Sequence, residues 1–310
     1  MRRPIFVLTA VALIHTACSQ GKSTTGPPGP DPPASELGPP ENLGPIVNSS
    51  AFDGGPSISN DGLTIYFASE RPGGLGGADL WVTTRPTISE PFGPPQPLGP
   101  TVNSASEDAC PGISPDELSL FFCSKRPGGF GDFDLWVSER ATRADSFGPA
   151  KNLGPTVNTS LLDGLPDLSA DGLTLFFDSN RAGGLGSSDI WMTTRATTAA
   201  PWGAPENLGP PVNSSFFDVA PDISPNGLEF LFTSDRPGGS GGEDLWVAAR
   251  TSVRDSFGPP QNLGRAINSS ATEYGAHRLA DGLSLVFASN RSDGSGDFDL
   301  WWVRPRIRQP

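Results

Sequence analysis

Five carboxylates recur along the chain at a single spacing. Asp53, Asp108, Asp163, Asp218 and Glu273 each stand 55 residues from the last. Gathered around an axis, such carboxylates can hold a hard cation, which takes oxygen ligands. They can also supply the acid and base of a glycosidase. That second use needs two carboxyls in unlike environments, and five equivalent positions supply likeness instead. The structural alternative is that each caps the backbone of its own loop, and fivefold equality favours it. The pairs Arg71/Asp79, Arg126/Asp134, Arg181/Asp189, Arg236/Asp244 and Arg291/Asp299 share the same period. They bracket a glycine-rich loop and read as a repeated ion pair or hydrogen bond. The loop itself (Gly73, Gly74, Gly76 and their equivalents) lacks the Lys-Ser/Thr of a phosphate cradle and leads into a strand. Its glycines are expected to supply positive backbone dihedrals.

Residues that break the period carry different chemistry. Ala276-His277-Arg278-Leu279 stands where another copy reads Pro221-Asp222-Ile223-Ser224. His277 is a candidate proton-transfer group or part of a polar patch; a drifted last copy explains it as well. Cys110 and Cys123 occur in one copy only, on either side of a Ser-Pro-Asp turn. In an oxidising compartment they are expected to pair as a disulfide. Leu161 and Leu162 in the third copy, and Phe216 and Phe217 in the fourth, make those loops more apolar than their equivalents, as a contact surface would be.

The elements that must position these residues follow from the repeat. Tryptophans fall at Trp81, Trp136, Trp191, Trp246 and Trp301, and asparagines at Asn48, Asn103, Asn158, Asn213 and Asn268, with no insertion in any copy. In the third copy, residues 163–169, 173–179 and 189–194 read as short strands, with a fourth around 205–212. Four short antiparallel strands per unit, repeated radially, make an all-β, five-bladed propeller. The repeat body begins with a fourth strand near 37–44 and ends with a third strand at 299–304. The N-terminal strand is therefore expected to complete the last blade and hide both free edges. In that arrangement the Asn-bearing loops and the Arg-Pro-Gly-Gly loops share one face. Asn48, Asn103, Asn158, Asn213, Asn268, His277 and Arg278 form the expected binding face. The tryptophans, and Phe92, Phe147, Trp202 and Phe257, are expected in the core.

Ser224-Pro225-Asn226-Gly227, Phe232-Thr233-Ser234-Asp235-Arg236-Pro237-Gly238-Gly239 and Asp244-Leu245-Trp246 carry a more specific likeness. They resemble the WD-like propeller repeats of TolB-type periplasmic proteins, and still more those fused to OmpA-type domains in bacterial envelopes. Ser114-Pro115-Asp116 and Ser179-Asn180-Arg181 fit the same pattern. The resemblance covers about residues 37–304 and implies an envelope propeller that binds proteins or ligands without catalysis. No OmpA-type domain follows, so peptidoglycan binding is not implied.

Composition bounds the partners. Net charge is −13, and only Lys22, Lys125 and Lys151 represent lysine. A polyanion would be repelled, which excludes nucleic acid as a partner. Attachment to a membrane is expected through a lipid anchor alone. Arg2 and Arg3 precede an apolar run at 5–14 that is too short to span a bilayer. His15-Thr16-Ala17-Cys18 follows and resembles a lipobox, with His15 departing from the usual apolar residue. We read 1–17 as a signal peptide with Cys18 the lipidation site. Residues 18–36 read as a Gly/Pro/Ser tether, 37–304 as the propeller and 305–310 as a tail. The expected protein is exported, lipid-anchored to the envelope and monomeric. It has no metal, cofactor or catalytic residue, and it binds an envelope protein or a glycan. The alternatives are a lectin-like propeller and a five-bladed glycoside hydrolase.

Overall fold

The computed structural model describes residues 37–306. The signal peptide at 1–17, the lipidation site Cys18, the tether at 18–36 and tail residues 307–310 lie outside the described residues.

Among the described residues, twenty strands form five four-stranded antiparallel sheets. The first blade is β2 (Asp53–Ile58), β3 (Thr64–Ser69), β4 (Asp79–Thr84) and β5 (Gln96–Pro97). The second is β6 (Asp108–Ile113), β7 (Ser119–Ser124), β8 (Asp134–Glu139) and β9 (Lys151–Asn152). The third is β10 (Asp163–Leu168), β11 (Thr174–Ser179), β12 (Asp189–Thr194) and β13 (Glu206–Asn207). The fourth is β14 (Asp218–Ile223), β15 (Glu229–Ser234), β16 (Asp244–Ala249) and β17 (Gln261–Asn262). The fifth is β18 (Glu273–Arg278), β19 (Leu285–Ser289) and β20 (Asp299–Val303), completed by β1 (Glu41–Asn42) from the start of the described chain. Glu41 pairs with Trp302 and Asn42 with Trp301, and a bridge from Leu37 to Pro305 extends the closure into the expected tail.

Middle strands alternate between two buried faces, so both packs of side chains lie between blades. Phe67, Phe122, Phe177, Phe232 and Phe287, at one repeat position, are fully buried; each contributes about 2 kcal/mol of hydrophobic stabilisation. The five tryptophans are buried, as are Phe92, Phe147 and Phe257, with Trp202 partly so. The Arg85, Arg140, Arg195 and Arg250 guanidiniums stack 4.2–4.4 Å over these last four rings.

The polar repeat residues pin blade to blade. The Leu300 amide donates to Asn48 Oδ1 at 2.9 Å, and Asn48 Nδ2 donates to Leu300 O at 3.1 Å. Asn103, Asn158, Asn213 and Asn268 hold Leu80, Leu135, Ile190 and Leu245 in the same way. The expectation that these asparagines are exposed is therefore corrected. All five are buried, because each side chain turns back to satisfy a strand's backbone instead of facing solvent.

The ion pairs differ from expectation too. Arg71 pairs with Asp53 at 2.5 Å, not with Asp79. Its guanidinium lies over the Phe67 and Trp81 rings and also donates to Val47 O. Arg126/Asp108, Arg181/Asp163, Arg236/Asp218 and Arg291/Glu273 repeat the pair. Asp79 instead accepts from the amides of Leu75 and Gly76, capping the glycine loop; Asp134, Asp189, Asp244 and Asp299 cap theirs likewise. Within that loop only Gly73 has a positive φ, 110°. Gly74 and Gly76 are needed for close approach, since a Cβ would lie 2.0 Å from Asp79 Oδ2 and 1.9 Å from Ser106 O.

Candidate functional site

The carboxylate ring at Asp53 and its copies has no free oxygen for a cation. Asp53 Oδ1 accepts from Ser69 and Arg71, and Oδ2 accepts from the Ser49 amide and hydroxyl. The residues with unspent chemistry lie further along the same innermost strands, where the five blades meet.

Each inner strand carries a bulge. The bulge residues Gly55, Cys110, Leu165, Ala220 and Gly275 all have φ between 46° and 60°. The next residues, Pro56, Pro111, Pro166, Pro221 and Ala276, ring a narrow waist of about 20 Å³. The residue after that faces the axis and differs in every blade but one pair: Ser57, Gly112, Asp167, Asp222 and His277. Four of these, all but Gly112, accept hydrogen bonds from the amides of the following blade through their side chains. Ile113 N donates to Ser57 Oγ at 3.1 Å, Ile223 N to Asp167 Oδ2 at 2.8 Å and Arg278 N to Asp222 Oδ1 at 2.9 Å. Ile58 N donates to His277 Nδ1 at 3.5 Å, the longest of the set. Gly112 is fixed by crowding, because a Cβ there would meet Pro166 O at 2.1 Å.

Below the waist the channel opens, between the loops joining first to second strands, into a mouth of about 240 Å³. Asp167, Asp222, His277 and Arg278 line it. Asp167 Oδ1 stands 3.6 Å from His277 Nε2. Burial alone would lower the His277 imidazole, but Asp167 and Asp222 more than offset it and hold it above its usual range. Burial raises the Asp167 carboxyl, with Asp222 adding to the effect and His277 opposing it. Arg278 is locked, its Nε 3.1 Å from Asp222 Oδ2 and its Nη1 2.6 Å from Glu229 Oε2. His277 and Arg278 thus sit at the opposite end of the channel from the asparagine loops. The expected single binding face is two separate regions.

Above the waist lies a small apolar socket of about 60 Å³, lined by Phe52, Ala68, Ala109, Cys110, Leu165, Tyr274 and Phe298 among others. Buried titratable groups crowd it. Asp178, at a position held by Ala68 and Ala288 in other blades, is pushed up to about 7 by burial and by Asp163. Cys110 and Cys123 stand as free thiols, with Cys110 close enough to hydrogen-bond Cys123. The bulge makes Ala109, not Cys110, the cross-strand partner of Cys123. Burial, then Cys110, raises the Cys123 thiol well above its ordinary range.

On the same upper face, exposed apolar side chains form a crescent. Leu75, Phe130 and Leu185 tip the loops between second and third strands of the first three blades, and Leu161 and Phe216 stand in the loops entering the third and fourth. Neighbouring loops touch, since a Cβ on Gly131 or Gly186 would strike the carbonyl of Leu161 or Phe216. Of the loop residues singled out in the sequence, Leu161 and Phe216 are exposed, whereas Phe217 is buried and Leu162 half-buried. The axial ring escaped sequence reading except at His277. Its signal was a repeat position whose residue changes from copy to copy.

The fold is that of a five-bladed β-propeller. No family model matches the chain, and no curated protein matches it. Among solved structures it is similar to TolB from Acinetobacter baumannii, at 16% identity and TM-score 0.52, over 84% of this chain and 56% of that one. It thus spans little more than half of that TolB. A putative TolB from Agrobacterium tumefaciens gives 16% identity and TM-score 0.50, over 84% of this chain and 93% of that one. The α-L-arabinofuranosidase PaAbf62A from Podospora anserina, in complex with cellotriose, gives 12% identity and TM-score 0.57, over 88% and 98%. At these identities the likeness is one of fold. Among the described residues no helix is long and apolar enough to cross a membrane.

Proposed function

We propose that this protein is a non-catalytic docking propeller of the bacterial envelope, which seats a partner protein on its upper face. The observation that carries this reading is the crescent of Leu75, Phe130, Leu161, Leu185 and Phe216 beside an apolar socket on the axis. Exposed apolar groups gathered on one face favour a protein contact, and a socket that admits one apolar side chain suits a central anchor residue. With a chain charge of −13, the fitting partner offers an apolar anchor within a basic rim, since opposite charge speeds encounter. The N-terminal lipobox-like segment supports an envelope location. A tagged soluble protein beginning at residue 24, used to capture solubilised envelope from the native cell, tests the reading against a Phe130→Ser/Leu185→Ser bait. A basic envelope protein held by the parent and lost by the variant is the expected result. Equal capture by both baits, or no captured protein, defeats the reading; in the latter case a glycan array tests the lectin alternative.

A hydrolase reading has one observation in its favour: Asp167 and Asp222 share an axial mouth in a fold that arabinofuranosidases also use. Their nearest carboxyl oxygens lie within 4.8 Å, closer than the roughly 6.5–9.5 Å of an inverting glycosidase and near the roughly 5–5.5 Å of a retaining one. Each carboxylate also has one oxygen tied to a backbone amide. Release of nitrophenol from aryl arabinofuranosides, abolished by Asp167→Asn, would favour the hydrolase.

A further inference from the structure

At the lower mouth three consecutive blades turn metal-type donors toward the axis. We propose that Asp167, Asp222 and His277 bind one divalent first-row metal ion, with Zn²⁺ the fitting probe, and leave its remaining coordination positions open to the mouth. This site is independent of the docking face at the other end of the channel.

The geometry supports the assignment in three ways. One donor atom from each residue lies within 4.8 Å of the others. The 3.6 Å from Asp167 Oδ1 to His277 Nε2 is close to one edge of a tetrahedral site. Ligands held at about 2.0–2.1 Å would stand roughly 3.3 Å apart, a closure of a few tenths of an ångström. The donors are also oriented before an ion arrives. Ile223 N holds Asp167 by Oδ2, and Arg278 holds Asp222 by both oxygens, its N on Oδ1 and its Nε 3.1 Å from Oδ2. Such outer hydrogen bonds fix ligands in metal sites, and the Asp222 oxygen that ligates keeps its arginine-donated bond. Asp167 Oδ1 and His277 Nε2 face each other at 3.6 Å, the pair of atoms an ion would draw together. Finally, one imidazole with two carboxylates suits a borderline ion such as Zn²⁺ better than Ca²⁺ or Mg²⁺, which take oxygen.

Ligation through Nε2 places the imidazole proton on Nδ1. The 3.5 Å bond from Ile58 N is then given up, and it is the weakest in the axial ring. The 240 Å³ mouth leaves room for waters or for a carboxylate-bearing ligand to complete the shell.

The competing explanation is that the three side chains only clasp one blade to the next. Titration calorimetry with Zn²⁺ on the tag-free, chelator-treated chain separates the two. The expected result is one Zn²⁺ per chain, weakened at least about tenfold in His277→Gln and in Asp167→Asn. Asparagine keeps an oxygen to accept from Ile223 N. No binding by the parent, or binding by both variants as tight as the parent's, overturns the proposal. So does binding that persists in His277→Gln but vanishes when Cys110 and Cys123 become alanine, which places the ion at the thiols. Should the variants not fold, Mn²⁺ on the parent decides. Relaxation broadening of the Ile58, Ile223 and Arg278 amides supports the site, and broadening elsewhere or none overturns it.

Discussion

The blade junctions and the axis use the same backbone geometry to opposite ends. At the junctions one solution is copied five times: a buried asparagine across a strand, and an arginine sandwiched between rings and paired with a carboxylate. On the axis, the equivalent register position holds serine, glycine, aspartate, aspartate and histidine. Identity at the junctions follows from closure, because one misfitting junction opens a ring of five. Variation on the axis follows from local duties: serine, the aspartates and histidine accept a neighbour's amide, whereas glycine is fixed by crowding. The rest of each axial side chain is free to differ.

Five measurements can break or sharpen that comparison. The largest effect belongs to the closing junction. Deletion of residues 1–43 removes β1 and Leu37, which exposes the β20 edge; the truncated chain is expected to aggregate or to lose its cooperative thermal transition. A stable monomer would show that the ring does not need its fifth closure. Next comes Asp178, the one acid at an otherwise apolar or neutral position. Its folded value of about 7 lies above the ordinary 3.8, so the folded state holds a proton that the unfolded state releases. Stability from this group is therefore lost as pH rises from about 4 to 7, by of order 4 kcal/mol. Relative to the parent, Asp178→Asn should gain stability in urea melts at pH 8 and gain little at pH 4.

Asn103→Ala and Asn213→Ala are each expected to lose about 3 kcal/mol, since each leaves a buried strand amide and carbonyl without partners. Equal losses in the two blades uphold the equivalence of junctions; unequal losses break it. On the axis, Gly112→Ala should cost about 1–3 kcal/mol by pressing on Pro166 O, readable as a shift in the denaturation midpoint. Smallest is the upper face. Phe130→Ser with Leu185→Ser should change stability by less than about 0.5 kcal/mol per site while removing partner capture, so that binding and folding separate.

How much of this was legible in the sequence follows the same division. Strand count, closure by the N-terminal strand and the buried tryptophans could all be read from the 55-residue period, because strands and turns are local and repetition multiplies their signal. Side-chain direction could not. The asparagines stand in loops, and a loop position does not tell whether an amide faces water or reaches back to a strand. Arg71 has Asp79 eight residues away and Asp53 eighteen away; only the packed Phe67 and Trp81 rings steer it to the latter. Asp167 and Asp222 look like ordinary turn-flanking acids until five strands are drawn around one axis. His277 drew notice as the odd residue of its copy, but nothing in the linear chain placed it beside Asp167.

The closing strand has a mechanical consequence. Leu37 and Pro305 meet at the lower face, and β1 is held to β20 over two residues, with Asn42 Nδ2 donating to Asp299 and Asn48 gripping Leu300 beyond it. Force arriving through the chain before Leu37 is therefore applied to the fifth seam alone and acts in sequence: first the Leu37 bridge, then the two paired residues, then the asparagine. The four seams made within the continuous chain are not on that line of tension. A leash on this propeller would pull at its clasp, and rupture would begin there as a peel, well before any other blade felt the strain.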